Sequence, residues 1–211
     1  MLRISLLLFM VFIGACATAP QAIDVAELDA VLTDNPGRPQ ADKDRDLDRR
    51  PAEVLRFLGV ERGMTAVDLV AAAGYYTEVL SHGVGPGGRV YMQNSPQSLS
   101  GNRGERTAEA IAERLANNRL ANVEQLVVPP DNLTLPPNSV DVAIIALEFH
   151  EFYRAADPAA AANFLAEMRR VLKPGGVLGI IDHAGSPVFD PGPLHRALES
   201  RVVADAQAAG L

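Results

Sequence analysis

Apolar runs of strand length alternate with helical stretches along most of this chain, and this alternation constrains the fold more than any other feature. Helical periodicity separates the apolar runs. Such strands, apolar at nearly every position, are covered on both faces, and strands joined by helices lie parallel. The sequence therefore predicts an α/β fold with a doubly wound parallel sheet, whose ligand crevice lies at the carboxyl ends of the strands. The predicted strands are 65–70, 89–93, 123–128, 140–146 and 177–182, and the predicted helices between them are 75–84, 105–118 and 159–172.

The first 15 residues have the composition of a bacterial lipoprotein signal peptide. Arg3 gives a positive start, an apolar run follows, and Ile13-Gly14-Ala15-Cys16 resembles the site at which a lipoprotein cysteine becomes acylated. Cys16 is the only cysteine, which excludes an internal disulfide framework and thiolate catalysis. We expect lipidated Cys16 to anchor the chain to the membrane of the bacterial cell envelope, facing the periplasm. The alternative is an ordinary cleaved signal peptide.

Residues 16–50 are predicted to form a tether and a lead-in. A short helix is expected at 24–33 and a turn at 35–39, and the alternating charges of 42–50 are most simply a solvated segment. Pro51 can open a further helix at its first position. We therefore place one domain at 51–211.

The charge balance argues against a nucleic-acid partner. The chain has 26 acidic and 19 basic residues, for a formal net charge of -7. Such a surface repels a phosphate backbone, and no basic stripe interleaved with aromatic residues offsets it.

Four short motifs follow one another in a fixed order. They are Gly63-Met64-Thr65-Ala66-Val67-Asp68-Leu69, Gly74-Tyr75-Tyr76-Thr77-Glu78, Gly85-Pro86-Gly87-Gly88-Arg89-Val90-Tyr91 and Leu172-Lys173-Pro174-Gly175-Gly176. In order and spacing, the region 51–182 resembles the nucleotide-binding core of class I S-adenosylmethionine (SAM) methyltransferases, which have a Rossmann-like fold. The last motif and the strand after it, which ends at Asp182-His183, also resemble a smaller group of predicted methyltransferases in exported bacterial proteins. The resemblance implies SAM-dependent methyl transfer to a small-molecule or envelope acceptor.

The resemblance also implies where SAM binds. The methionine end meets the loop after the first strand, the ribose meets Asn94, and the adenine lies beside Asp131 and Asn132. The alternative is a purely structural role, in which Asp68 caps the loop and Asp131-Asn132 forms a turn. The loop residues assigned to the donor are Asp68, Val70, Ala72, Gly74 and Tyr75.

Three features depart from the family pattern. The family has three glycines after the acid of the first strand, whereas here Val70 and Ala72 precede the one remaining Gly74. Asn94 replaces the acid that usually binds the ribose hydroxyls, which removes a charge-assisted hydrogen bond. The chain ends after a predicted helix at 193–209, where the family continues into two more strands. The expected sheet therefore has five strands and lacks the last two of the family.

These departures leave an alternative function open: a binding or structural lipoprotein that kept the fold and lost the donor site. An intact site predicts room beside Val70, Ala72 and Asn94, and a degenerate one predicts that side chains fill it. A third hypothesis, a dinucleotide oxidoreductase, lacks the required glycine turn and ribose-binding acid.

Candidate catalytic residues follow the ends of neighbouring strands. His150 and Asp182 are predicted to contact the acceptor or serve as base, with His183 beside them. The alternative is that helix ends or backbone groups satisfy these histidines. A zinc peptidase pattern needs a second histidine one helical turn after His150, where Arg154 stands, so no metal site is predicted.

Overall fold

The computed structural model describes residues 21–188 and 192–211. The predicted signal peptide and Cys16 lie outside the described residues. Within the described ranges, no helix is long and apolar enough to cross a membrane.

A five-stranded parallel sheet forms the centre of the domain. Its strand order is β3-β2-β1-β4-β5, so the order reverses between β1 and β4. Ligands of doubly wound sheets bind at such a reversal, outside the carboxyl ends of the strands. The prediction of the fold is confirmed. The strands are β1 (Thr65–Leu69), β2 (Arg89–Asn94), β3 (Val123–Val127), β4 (Val140–Ala146) and β5 (Leu172–Ile181).

Helices cover both faces of the sheet. The helix at 75–84 begins and ends where the sequence predicted. The helix predicted at 105–118 begins four residues earlier, at Gly101. Short 3₁₀ turns occupy 97–99, 116–118 and 192–194. The helices are α1 (Val25–Asp34), α2 (Gln40–Arg49), α3 (Pro51–Phe57), α4 (Tyr75–Val84), α5 (Gly101–Leu115), α6 (Phe149–Arg154), α7 (Ala160–Val171) and α8 (Glu199–Ala208).

Two apolar clusters form the core, one on each face of the sheet. Successive side chains of a strand point to opposite faces, so Ala66 of β1 joins one cluster and Val67 joins the other. The first cluster contains side chains of α1, α3 and α4, and the second contains side chains of α6 and α7. The continuous apolar character of the strands is thereby explained.

The lead-in is part of the folded unit. Ile23, Leu28 and Leu32 are at most 3% exposed and belong to the first cluster. The interpretation of 42–50 as a solvated segment was wrong at one residue. Residues 42–49 lie in α2 and most of the run is exposed, but Asp42 is buried. Its carboxylate accepts a hydrogen bond from Arg114 of α5 at 2.5 Å, so a partner far along the chain compensates the buried charge.

The last strand and the C-terminal helix also differ from the sequence prediction. β5 starts at Leu172, five residues before the predicted start, and so includes the glycine-rich motif, with an irregular register opposite Val140–Val142. The predicted helix at 193–209 is shorter: α8 spans Glu199–Ala208, after a single 3₁₀ turn.

Candidate active site

The loop between β1 and α4 has an unusual backbone. Val70 has a φ of 50° and Ala72 a φ of 48°, both in the left-handed region that glycine adopts most readily. Gly74 follows with a φ of 86°, and a Cβ there would lie 2.7 Å from the Met92 Cε atom. The loop therefore has glycine-like conformations at the positions where the family resemblance places glycines, although Val and Ala occupy two of them.

The end of β2 holds this loop in place. Val70 donates its backbone N–H to Gln93 Oε1 at 2.8 Å, and Gln93 Nε2 donates to the Val128 carbonyl at 2.7 Å. Ala72 N–H donates to Asn94 Oδ1 at 2.9 Å, and Asn94 Nδ2 donates to the Ala72 carbonyl at 3.1 Å. Because an aspartate lacks the NH₂ group that the Ala72 carbonyl needs, asparagine suits this position. The structure thus places the Asn94 side chain on the loop backbone.

Asp68 caps the start of α4. Thr77 donates its hydroxyl to Asp68 Oδ2 at 2.6 Å. Burial raises the pKa of Asp68 to about 7, although hydrogen bonds from Thr77 and the charge of Arg114 act in the opposite direction. This arrangement matches the capping alternative for Asp68, while the residue still lines the cavity described next.

A cavity of about 240 Å³ lies against the loop. Val70, Ala72, Gly74 and Tyr75 line it, as predicted for donor-binding residues, but Asn94 does not. The remaining walls come from α2 and from the end of β4. They include Asp42, Arg45, Arg49, Tyr76, Leu147 and Glu148.

The predicted adenine residues lie elsewhere. Asp131 and Asn132 are exposed, and Asn132 N–H donates to the Pro129 carbonyl at 3.1 Å. These contacts match the turn alternative. Sequence reasoning missed the contribution of α2 because its charged residues were interpreted as solvated, although Arg45 and Arg49 bring two cations to the cavity wall.

His150 and Asp182 form a buried pair at the ends of β4 and β5. Asp182 accepts the His150 backbone N–H at 2.8 Å, and its two carboxylate oxygens lie 2.8 and 3.0 Å from His150 Nδ1. Both side chains are 6% exposed. A carboxylate in this position fixes the orientation and the tautomer of an imidazole. The structure does not bring the His183 side chain to this pair: it is exposed, and only its backbone N–H contacts Asp182, at 2.7 Å.

A histidine that sequence reasoning missed completes the cluster. His195, in the turn before α8, places Nδ1 2.6 Å from Glu151 Oε1, and the same oxygen lies 3.1 Å from His150 Nε2. No local sequence pattern predicts this contact, because His195 lies 44 residues after Glu151 in the chain.

The cavity and the histidine cluster are neighbours. Leu147 N–H donates to the Ile181 carbonyl at 2.7 Å, which joins the ends of β4 and β5. Glu148, on the cavity wall, directly precedes α6, which contains His150 and Glu151. Burial raises the pKa of Glu148, and the charge of Glu151 adds to the effect. Donor-side and acceptor-side candidates thus meet at the end of β4.

The sheet order and the loop after β1 define a Rossmann-like domain of the methyltransferase type. A sequence family described as "Methyltransferase domain" matches residues 67–180, which is more than half of the chain. The chain belongs to this family. The prediction of a SAM-dependent methyltransferase with SAM as methyl donor is confirmed at the level of family and fold.

Individual relatives agree with the family. A SAM-dependent methyltransferase from Aquifex aeolicus has a similar structure, with a TM-score of 0.62 and 29% identity over 89% of this chain and 88% of that one. A phosphoethanolamine N-methyltransferase of Haemonchus contortus, solved with SAM, shares the fold at a TM-score of 0.58 and 18% identity, covering 77% of this chain and 36% of its own.

A curated relative is similar in sequence over part of its length. The ubiquinone/menaquinone biosynthesis C-methyltransferase of Enterobacter sp. (strain 638) is 31% identical over 134 residues, which cover 63% of this chain and 47% of the relative. The chain thus spans about half the length of the curated relatives it matches.

The residues at the cavity fit one end of SAM. The methionine part of SAM carries a carboxylate, which is complementary in charge to Arg45 and Arg49. It also carries an ammonium group, which is complementary in charge to Glu148. Cavities for drug-sized ligands typically measure about 300–1,000 Å³, and 240 Å³ is below that range. The charges of the lining therefore suit the methionine end, whereas the cavity is smaller than is typical for a ligand of the size of the whole donor.

Proposed function

We propose that this protein transfers the methyl group of SAM to an acceptor bound beside His150. The observation that carries the proposal is the loop after β1, whose backbone has left-handed conformations at Val70, Ala72 and Gly74. Val and Ala disfavour such conformations by about 1–3 kcal/mol each, so a conformation of this kind persists only where the surrounding structure enforces it. Strained backbone of this kind clusters at ligand sites.

Arg45, Arg49 and Glu148 would hold the methionine end of SAM by charge, and the bound donor would supply a methyl group on a positively charged sulfur. The protein contributes mainly positioning to such a transfer. Helix α2 contributes one wall of the cavity through Asp42, Arg45 and Arg49.

His150 is the proposed base for an acceptor that must lose a proton. Asp182 keeps the proton on Nδ1, and Nε2 then carries the lone pair, with Glu151 Oε1 at 3.1 Å as its neighbour. The pairing leaves the imidazole little rotational freedom, so the basic nitrogen is fixed at the end of β4. Removal of the Asp182 carboxylate would release the ring and allow the other tautomer.

The acceptor is proposed to be a small molecule. The curated relatives are C-methyltransferases of ubiquinone and menaquinone biosynthesis, with 28–31% identity to this chain, which favours a quinone-type ring. A ring carbon that becomes a nucleophile after proton loss suits a base such as His150.

A binding or structural role without SAM is the second candidate, and a specific observation favours it. Both polar groups of Asn94 are engaged by Ala72, and the cavity does not reach Asn94. In that case the loop would keep its conformation without a ligand.

Isothermal titration of SAM and S-adenosylhomocysteine into the protein beginning at Ala17 separates the two candidates. We expect micromolar binding by the unaltered chain, at least tenfold weaker binding by Arg49→Gln, and unchanged binding by the exposed control Arg89→Gln. The double variant Val70→Gly, Asn94→Asp restores the first family glycine and the ribose acid, and it serves as a reference for a donor site closer to the family pattern. Binding by this double variant alone would support the second candidate and refute methyl transfer by the natural chain.

We also propose that Cys16 is lipidated and holds the domain at the bacterial envelope, facing the periplasm. The proposal rests on the sequence from Ile13 to Cys16. Metabolic labelling with a palmitate analogue should mark the unaltered chain and leave Cys16→Ser unmarked. Equal labelling of both would contradict it.

A further inference from the structure

Three potential metal ligands meet at the carboxyl ends of β4 and β5. They are His150 and Glu151 of α6 and His195, which directly follows the 3₁₀ turn 192–194, and one ligand atom from each lies within 4.8 Å of the others. Glu151 Oε1 is at the centre, 3.1 Å from His150 Nε2 and 2.6 Å from His195 Nδ1. Two parts of the chain that are distant in sequence build this cluster.

The cluster requires positive charge between its members. Because His150 Nδ1–H donates to Asp182, a neutral His150 directs the lone pair of Nε2 at a carboxylate oxygen of Glu151. Two acceptors at that distance repel each other unless a proton or a metal cation lies between them.

One cation already occupies part of this position. The Arg154 Nη1 atom lies 2.7 and 2.6 Å from the two oxygens of Glu151 and 3.1 Å from His195 Nδ1. Its side chain is 33% exposed, so it can withdraw into solvent. The arginine therefore acts as an internal counter-ion that a metal ion would displace.

Two features preorganise the ligands. A carboxylate on the far nitrogen of a ligating histidine is the usual partner in metal sites, where it orients the ring, and Asp182 has this place behind His150. His195 has a φ of 51°, a left-handed conformation that costs free energy and persists because its surroundings enforce it.

We propose that His150 Nε2, the Glu151 carboxylate and His195 Nδ1 bind a divalent transition-metal ion with the chemistry of zinc. Two imidazoles and one carboxylate are a ligand set of zinc sites that keep a fourth position open. Bonds of about 2.0–2.2 Å in a tetrahedron separate ligand atoms by about 3.3–3.5 Å. His150 and Glu151 are close to that separation, and His195, which is 54% exposed, can move outward to reach it.

The open position gives this site a role that rests on the proposed function. Water bound to zinc can lose its proton near neutral pH. An acceptor hydroxyl bound to the ion would in the same way release its proton to solvent, which reaches the site beside the partly exposed side chains of Glu151 and His195. His150 Nε2 would then serve as a ligand and no longer as a base. The metal site itself requires neither SAM nor methyl transfer.

Titration of Zn²⁺ and Co²⁺ without SAM tests the site, with protein beginning at Ala17 and carrying no polyhistidine tag. We expect one equivalent of Zn²⁺ to bind with micromolar affinity or better, and Co²⁺ to show visible absorption of tetrahedral coordination. His195→Ala and Glu151→Gln should weaken Zn²⁺ binding by at least about tenfold, as should Asp182→Asn, since loss of a supporting carboxylate costs about 10–100-fold. Arg154→Gln should strengthen it.

His183→Ala is the matched control, because it removes a neighbouring exposed imidazole that the cluster does not use. Circular dichroism of each variant checks that the fold is kept. Absence of binding in both the unaltered chain and Arg154→Gln would overturn the proposal, as would equal binding by His195→Ala. Because the titration contains no SAM, a failed SAM titration and a failed metal titration refute different statements.

Discussion

Val70 and Ala72 have backbone conformations that their own side chains disfavour. A left-handed conformation brings Cβ close to the following carbonyl oxygen and costs about 1–2 kcal/mol. Both residues donate their backbone N–H groups to side-chain amide oxygens at the end of β2, and these hydrogen bonds hold the loop against this cost. Side chains of a neighbouring strand, Gln93 and Asn94 of β2, thus stabilise the loop conformation.

Replacing Ala72 by glycine should stabilise the protein. The change removes backbone strain of about 1–2 kcal/mol, which stabilises the folded state. It also raises the entropy of the unfolded chain, which costs about 0.4–1 kcal/mol of stability, so we expect a net gain of about 0.5–1 kcal/mol. Ala71→Gly is the matched control, because Ala71 has an ordinary φ, and it should lose about 0.4–1 kcal/mol. Urea denaturation of both variants measures the difference. A loss of stability in Ala72→Gly equal to that in Ala71→Gly would contradict a strained loop.

Sequence reasoning predicted the glycine-like positions of this loop but not what supports them. Spacing from Asp68 to Gly74 identified the loop, because local patterns specify where a strand ends and a helix starts. The contacts of Gln93 and Asn94 depend on the register between β1 and β2, which no local pattern contains. For the same reason His195 could not be assigned to the cluster with His150.

At the scale of elements, α2 depends on a buried ionic network. Arg114 of α5 binds Asp42 of α2, Glu78 of α4 and the Ala73 carbonyl, so one guanidinium joins two helices and the loop. Arg119 also binds Glu78. The charge run of α2 was interpreted as solvated because Arg114, the partner of the buried Asp42, lies 72 residues along the chain. A charged side chain of such a helix can be buried only where an oppositely charged partner compensates it.

Glu78→Gln should destabilise the protein in a pH-dependent way. Burial alone would raise the pKa of Glu78, but the nearby His82 ring, hydrogen bonds from Arg119 and the charges of Arg114 and Arg119 lower the pKa to about 2 from 4.5. A depressed folded-state pKa contributes stability above the unfolded pKa and loses it as the pH falls through the folded one. We expect a loss of about 3 kcal/mol at pH 7, since the variant leaves buried arginine charge uncompensated.

The difference between the unaltered chain and Glu78→Gln should narrow as the pH falls from 4.5 toward 2. Glu124→Gln, which removes an exposed pair with Arg89, is the control and should change stability by less than about 1 kcal/mol. Thermal unfolding followed by circular dichroism at several pH values measures both. A difference that stays constant over this pH range would exclude ionised Glu78 as its source.

At the scale of the whole molecule, the N-terminal helices belong to the domain. The sequence placed the start of the domain at Pro51, because the alternation of strands and helices begins there. Helix α1 nevertheless packs Leu28 and Leu32 into the cluster shared with α3 and α4, and α2 contributes one wall of the cavity. A lipid anchor at Cys16 would therefore have a short link to a compact unit: the few residues up to Gln21 span at most about 20 Å.

A chain that begins at Pro51 should not fold stably. Ile23, Leu28 and Leu32 each contribute about 1.5–3 kcal/mol by burial, and their joint loss of about 5–9 kcal/mol is comparable to the whole stability of a domain, about 5–15 kcal/mol. A chain that begins at Gln21 is the control and should unfold cooperatively. Soluble yield and thermal unfolding compare the two.

Within the full chain, Leu28→Ala should cost about 2–5 kcal/mol of stability. Val31→Ala, at a residue of the same helix that is 40% exposed, should change stability by less than about 1 kcal/mol. Equal urea midpoints for these two variants would show that α1 is an appendage after all, because only a helix packed into the core distinguishes its buried face from its exposed one.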